Sequence, residues 1–187
     1  MKAKSMRRMI QIAALAILFV RPAAAQILSA PDWYNIVVAA QKDNAKDVRT
    51  FLAQNVSPNL TDLSGRTALS YAAGSNNTEI AQMLLDAGAK PDLRDKDGNT
   101  PLHYAAEAGH VQVLQLLIRA HANVDYQNRE GITALMAAAS AGQAATARAL
   151  LAAGADPYKR DFTGRDALSW AAGRPALVQI LKAAMQK

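Results

Sequence analysis

Gly98-Asn99-Thr100-Pro101-Leu102-His103-Tyr104-Ala105-Ala106 decides the reading, because the chain carries it in four related copies. Gly65, Gly98, Gly131 and Gly164 stand 33 residues apart, and each opens such a block. The others are Gly65-Arg66-Thr67-Ala68-Leu69-Ser70-Tyr71-Ala72-Ala73, Gly131-Ile132-Thr133-Ala134-Leu135-Met136-Ala137-Ala138-Ala139 and Gly164-Arg165-Asp166-Ala167-Leu168-Ser169-Trp170-Ala171-Ala172. The second halves recur as well. Met83-Leu84-Leu85-Asp86-Ala87-Gly88-Ala89 matches Leu116-Leu117-Ile118-Arg119-Ala120-His121-Ala122 and Ala149-Leu150-Leu151-Ala152-Ala153-Gly154-Ala155. One period upstream, Ile36, Ala39-Ala40, Phe51-Leu52, Asn55 and Pro58 outline a degenerate first unit.

Each unit reads as two short helices and a turn. Thr or Asp at the block start is suited to cap the first helix by accepting its orphan N–H groups. Pro101 stands where a helix tolerates a missing N–H. The Ala pair belongs on the packed side, where a bulkier side chain would hold neighbouring units apart. Ile80, Met83-Leu84, Val113, Leu116-Leu117 and Leu150 recur at helical spacing on the second helix. Gly88 and Gly154 end that helix in the left-handed region, and Asn55 and His121 replace this Gly with residues that tolerate φ > 0. Segments such as Lys90 to Asn99 hold Pro, Asp, Asn and Gly and read as projecting turns. A unit of this size cannot bury its apolar side alone, so the units must stack.

These blocks resemble the ankyrin repeat family. The third unit is nearly a full signature, with Gly98-Asn99-Thr100-Pro101-Leu102-His103 followed by Gly109-His110. The resemblance covers roughly residues 32–185. It implies an all-α solenoid of about five helix-turn-helix repeats with projecting β-turn loops, over approximately 32–61, 62–94, 95–127, 128–160 and 161–187. Three repeats read as regular and two as modified caps. Repeat one carries Asp32-Trp33-Tyr34-Asn35 instead of the usual opening, and repeat five is about two residues short at Gly173-Arg174-Pro175.

Charge divides the chain unevenly. Its formal net charge is +6, from 21 basic and 15 acidic residues. Lys2, Lys4, Arg7, Arg8 and Arg21 all precede residue 26, where no acidic residue occurs, so the remainder is nearly balanced. Nucleic-acid binding is not expected, because phosphate neutralisation needs clustered surplus charge. Residues 1–25 read as a signal peptide of bacterial type. Its parts are a basic start, an apolar run from Met9 to Val20 broken only by Gln11, Pro22, and Ala23-Ala24-Ala25. Cleavage is expected after Ala25, leaving 26–31 as a short tail and 32–187 as the repeat domain. The apolar run is short of the roughly 20 residues that cross a bilayer, so no stable membrane anchor is expected once it is removed.

The search for chemistry yields little. The chain has no Cys, which excludes disulfides, thiolate metal sites and a Cys nucleophile. His103, His110 and His121 have no metal-ligand spacing. The resemblance gives His103 and His110 turn and inter-repeat hydrogen bonding. Asp62, Asp95 and Asp161, with Asn128 in the same phase, recur as structural turn residues. Catalytic acids would be singular and would share a pocket. Ser70 and Ser169 share the phase of His103 and are poor nucleophile candidates. No catalytic, cofactor or metal site is expected.

What remains is surface. The resemblance implies a partner bound by turn tips and the exposed side of the first helices. The candidate positions are Arg66, Arg94, Lys96, Asp97, Asn99, Glu107, Arg129, Glu130, Ile132, Arg160, Phe162 and Arg165. Arg and aromatic residues are enriched among interface anchors. The abundance of Arg suggests a protein partner with an acidic surface. The expected function is a monomeric interaction scaffold in the bacterial periplasm. The alternatives are a secreted effector acting on host proteins and, behind it, an enzyme or small-ligand-binding protein.

Overall fold

The computed structural model describes residues 32–186. The expected signal peptide and the tail at 26–31 lie outside the described residues. The described chain is five helix pairs joined by turns: α1 (Asp32–Gln41) with α2 (Ala45–Ala53), α3 (Ala68–Gly74) with α4 (Thr78–Asp86), and α5 (Pro101–Ala108) with α6 (Val111–Arg119). Then follow α7 (Ala134–Ala141) with α8 (Ala144–Ala152), and α9 (Ala167–Trp170) with α10 (Pro175–Met185). The first helices stack in sequence, α1 on α3 on α5 on α7 on α9, and the second helices form a parallel outer layer. This is the expected all-α solenoid.

The block-opening residues cap as anticipated. Thr67 Oγ1 accepts from Ser70 N at 3.1 Å, Thr133 Oγ1 from Met136 N at 3.3 Å, and Asp166 Oδ1 from Ser169 N at 2.8 Å. Leu69, Leu102 and Leu135 are buried in the first layer, and Leu84, Leu117 and Leu150 in the second. The pairs Ala72-Ala73, Ala105-Ala106 and Ala138-Ala139 have no exposed surface, and their small side chains let each first helix lie close to the next. Asn55 and His121 adopt φ of 60° and 62°, as their phase requires.

Repeat five departs from that pattern. Its first helix is a single turn, and Ala172, expected to pack like its counterparts, is exposed. Among the described residues no helix pair packs on that side of it, and Pro175 starts the final helix early. Tyr158 departs as well. Asn59, Asp92 and Asp125 stand in its phase, and each accepts a backbone N–H from the next repeat, at Lys90, Asn123 and Asp156. Tyr158, in the same phase, instead donates its hydroxyl to the Met185 carbonyl.

Of the polar groups buried in the stack, His103 and Thr146 bear most on stability. His103 is only 4% exposed. Its Nε2 faces the Ile132 carbonyl at 3.0 Å. A carbonyl only accepts, so Nε2 carries the proton and Nδ1 is the acceptor. Nδ1 receives the Thr100 backbone N–H at 3.2 Å and the Thr100 hydroxyl at 2.9 Å. The neutral imidazole thus caps its own helix and ties it to repeat four. Burial pushes its pKa below the ordinary value, against the opposing pull of the Ile132 carbonyl and Asp95. Thr146 occupies the phase of Ile80 and Val113, is fully buried, and its hydroxyl has no hydrogen-bond partner.

Two outcomes follow for stability. Thr146→Val keeps the shape and removes an unpartnered hydroxyl. It should stabilise the fold by about 1 kcal/mol in chemical denaturation, the scale of a desolvated hydroxyl; a loss of that size would show the hydroxyl to be satisfied. Because the His103 pKa is depressed in the fold, the unfolded chain takes up a proton that the folded chain refuses as pH falls below about 6.5. Stability from this group is therefore full above that pH and declines below it. The melting temperature should fall less between pH 7.5 and 5.5 in His103→Ser, where Ser70 and Ser169 provide the precedent, than in the native chain. An equal fall would remove His103 as the source.

Candidate functional site

The concave side is built from turns and first helices, and one knot fixes every turn. The Asp62 carboxylate accepts from Ser64 N at 2.7 Å and Arg66 N at 3.0 Å. Asp95, Asn128 and Asp161 make the same pair of bonds in their own turns. Recurrent acids here close turns, as their 33-residue phase implied.

Successive turns then join one another. Lys96 N donates to Ser64 O at 2.9 Å, Arg129 N to Asp97 O at 3.0 Å, and Phe162 N to Glu130 O at 3.0 Å. The tips therefore form a column whose side chains are Leu63, Lys96, Arg129 and Phe162. All four are exposed, with Leu63 and Phe162 each at 75%. The column therefore has a cationic middle between two apolar ends.

Behind the tips, the spare oxygen of each turn acid holds an aromatic group on the first helix. Tyr71 OH donates to Asp62 Oδ2 at 2.7 Å, Tyr104 OH to Asp95 Oδ2, and Trp170 Nε1 to Asp161 Oδ2 at 3.0 Å. Arginines lie on these rings. Arg66 sits 4.3 Å from the Tyr104 centroid and 5.7 Å from that of Tyr71, and Arg165 lies 3.9 Å from that of Trp170. Burial alone would raise the Asp161 carboxyl. Hydrogen bonds from Thr163, Arg165 and Trp170 outweigh it and hold the group well below the usual carboxylate range. Burial, reinforced by the bond to Asp95, pushes the Tyr104 hydroxyl up. Asp161 is thus held ionised and the Tyr71 and Tyr104 phenols neutral, and the clamps tie turn to helix.

The candidate residues divide accordingly. Three arginines are tied up within the chain. Arg66 is half-buried on Tyr104 and 3.9 Å from Asp95, Arg94 bonds the Tyr126 hydroxyl, and Arg165 pairs with Asp161 at 3.0 Å. The Arg-rich character expected of the groove is reduced by these contacts, and Lys96, Arg129 and Arg160 are left as the exposed candidate cations outside such contacts, Arg94 and Arg165 being exposed as well. Asp97, Glu107, Glu130 and Phe162 are also exposed, while Asn99 and Ile132 are half-buried. Six of the twelve candidates, Asp97, Asn99, Glu107, Arg129, Glu130 and Ile132, meet around one cleft of about 590 Å³ between repeats three and five.

That cleft includes residues that sequence reasoning did not place in it: His103, Asn128, Met136, Ala137 and Trp170. A signal existed. Repeat four reads as regular at its glycines and apolar positions, yet it departs in the clamp. Asn128 replaces the acid, Ile132 the arginine of repeats two and five, Met136 the serine or histidine, and Ala137 the aromatic ring. Repeat four thus lacks the clamp that repeats two, three and five possess, and all four departures line the cleft.

Among the described residues no group of His, Asp and Glu is arranged to hold a metal ion, and no helix is long and apolar enough to cross a membrane. Residues 36–128 and 113–186 match the family model described as ankyrin repeats (3 copies). No curated protein matches the chain. The matched segments span the five helix pairs from α1 to α10, and such repeats are protein–protein interaction modules. With the stacked pairs, the capped block openings and the ladder of turns, the match shows that the chain belongs to the ankyrin repeat family.

Proposed function

We propose that the protein is a non-catalytic scaffold, exported to the periplasm of a bacterial cell, that holds a protein partner on its turn tips and concave groove. One observation carries this reading. The column Leu63, Lys96, Arg129 and Phe162 presents apolar and cationic side chains to solvent from a backbone already fixed by hydrogen bonds between turns. Rigid presentation lowers the ordering cost of association. Lys96 and Arg129 between apolar ends suit a partner segment with acidic residues flanked by apolar ones.

Export rests on the leader alone: its basic start, its apolar run from Met9 to Val20 and its Ala23-Ala24-Ala25 site. Without the leader the chain is nearly neutral, which favours a specific surface over general attraction to polyanions.

Affinity capture from a periplasmic extract, with the chain from Gln26 onward as bait, tests both parts. A saturable protein partner should be retained. Phe162→Ala combined with Arg129→Ala should weaken capture at least about tenfold, since anchor truncations each remove 1–2 kcal/mol or more. The same variant should melt within a few degrees of the native chain. A large drop in melting temperature with intact capture would show these side chains to be structural. Recovery of the protein only from culture supernatant would move its site of action outside the cell.

A further inference from the structure

The cleft between repeats three and five differs in chemistry from the turn tips. Its rim carries the carboxylates of Asp97, Glu107 and Glu130 against the single guanidinium of Arg129. Its interior is lined by Ile132, Met136, Ala137 and the indole of Trp170. It arises from the lost clamp of repeat four. Tyr71, Tyr104 and Trp170 fill their phase with a ring bonded to a turn acid, and Ala137 leaves that place empty. Asn128 has no spare carboxylate oxygen to offer, and its Nδ2 donates instead to Asn99 Oδ1 at 2.9 Å. Arg165 is not itself a lining residue; it lies over the Trp170 ring at 3.9 Å with its charge paired to Asp161 at 3.0 Å.

From the excess of carboxylates over an apolar interior we infer that this cleft receives a lysine or arginine side chain of the protein partner. The inference rests on the scaffold reading above and names what one part of the surface recognises. The long aliphatic stem of such a side chain lies on Met136, Ala137 and Ile132, and its charged head meets the rim carboxylates. Long cationic side chains combine an apolar stem with a polar head in this way. A partner carboxylate would meet like charge here and an apolar side chain would leave the rim charges unpaired, so the cleft selects by charge as well as by shape.

The test is an NMR titration of the chain from Gln26 onward, reading the indole N–H of Trp170, assigned with a Trp33→Phe variant. The probes are acetylated, amidated peptides Gly-Ser-Ala-Xaa-Ala-Ser-Gly in which Xaa is arginine, norleucine or glutamate. The arginine peptide should shift the Trp170 signal saturably, and the norleucine and glutamate peptides should not. Ala137→Tyr restores the ring that Tyr71 and Tyr104 carry in the same phase and should abolish the shift. The exposed changes Asp97→Asn, Glu107→Gln and Glu130→Gln, made together, should weaken binding at least about tenfold, as for loss of complementary interfacial charge. Norleucine binding as tightly as arginine, no saturable shift with any peptide, or unchanged binding in the neutralised variant would each overturn the assignment. Partner capture that persists while the cleft fails to bind the arginine peptide rejects this assignment and leaves the scaffold reading standing. Absence of any captured partner rejects the scaffold reading itself.

Discussion

Phe162 N lies 3.0 Å from Glu130 O and Arg129 N lies 3.0 Å from Asp97 O, so each turn is bonded to the one before it. That approach leaves no room for a side chain on the turn glycine. A Cβ placed on Gly131 would stand 2.7 Å from Phe162 N, and one on Gly98 would stand 2.9 Å from Arg129 N. The glycine therefore answers two demands at once, a left-handed φ and contact between backbones. In the core, the fully buried alanine pairs likewise let successive first helices pack closely. Turns and core both join neighbouring repeats, as do the His103 bond to Ile132 and the outer ladder of Asn59, Asp92 and Asp125.

Because the frame is so regular, function has to reside where the frame permits variation. Phase-equivalent residues at the tips are free to differ, and they do, as Leu63, Lys96, Arg129 and Phe162. The clamps are free to be lost where stacking alone supports a repeat. Repeat four, held between neighbours on both sides, lacks one and gains a cleft. The last described repeat shows the reverse, with Arg165, Trp170 and Asp161 closely bound to one another.

The fold was legible in the sequence because a repeat reports its own geometry. Gly65, Gly98, Gly131 and Gly164 in phase, with Thr67, Thr100 and Thr133 two residues later, fix turns and caps without knowledge of contacts. The candidate surface was legible only in part. Arg66 read as a groove residue, yet its guanidinium lies on Tyr104 of the next repeat, and pairing across repeats depends on the stack in three dimensions. The cleft follows the same rule. Asn128, Ile132, Met136 and Ala137 are each visible as departures from phase, but their convergence on one space appears only when turn and helix are assembled. Ala172 was misread because the period repeats in sequence while the burial it confers ends with the last neighbour.

The close approach of turns is the central claim, and Gly131 compared with Gly164 isolates it. Both residues have left-handed φ, 79° and 85°, so alanine meets similar backbone strain at either position. They differ in surroundings, since a Cβ at Gly164 meets nothing within 4 Å. Chemical denaturation of Gly131→Ala and Gly164→Ala should show the first to be less stable by an additional 1–3 kcal/mol or so, the usual scale of an overpacked contact. Equal losses in the two variants would mean that φ alone demands the glycine, and that contact between turns does not set the spacing of the repeats.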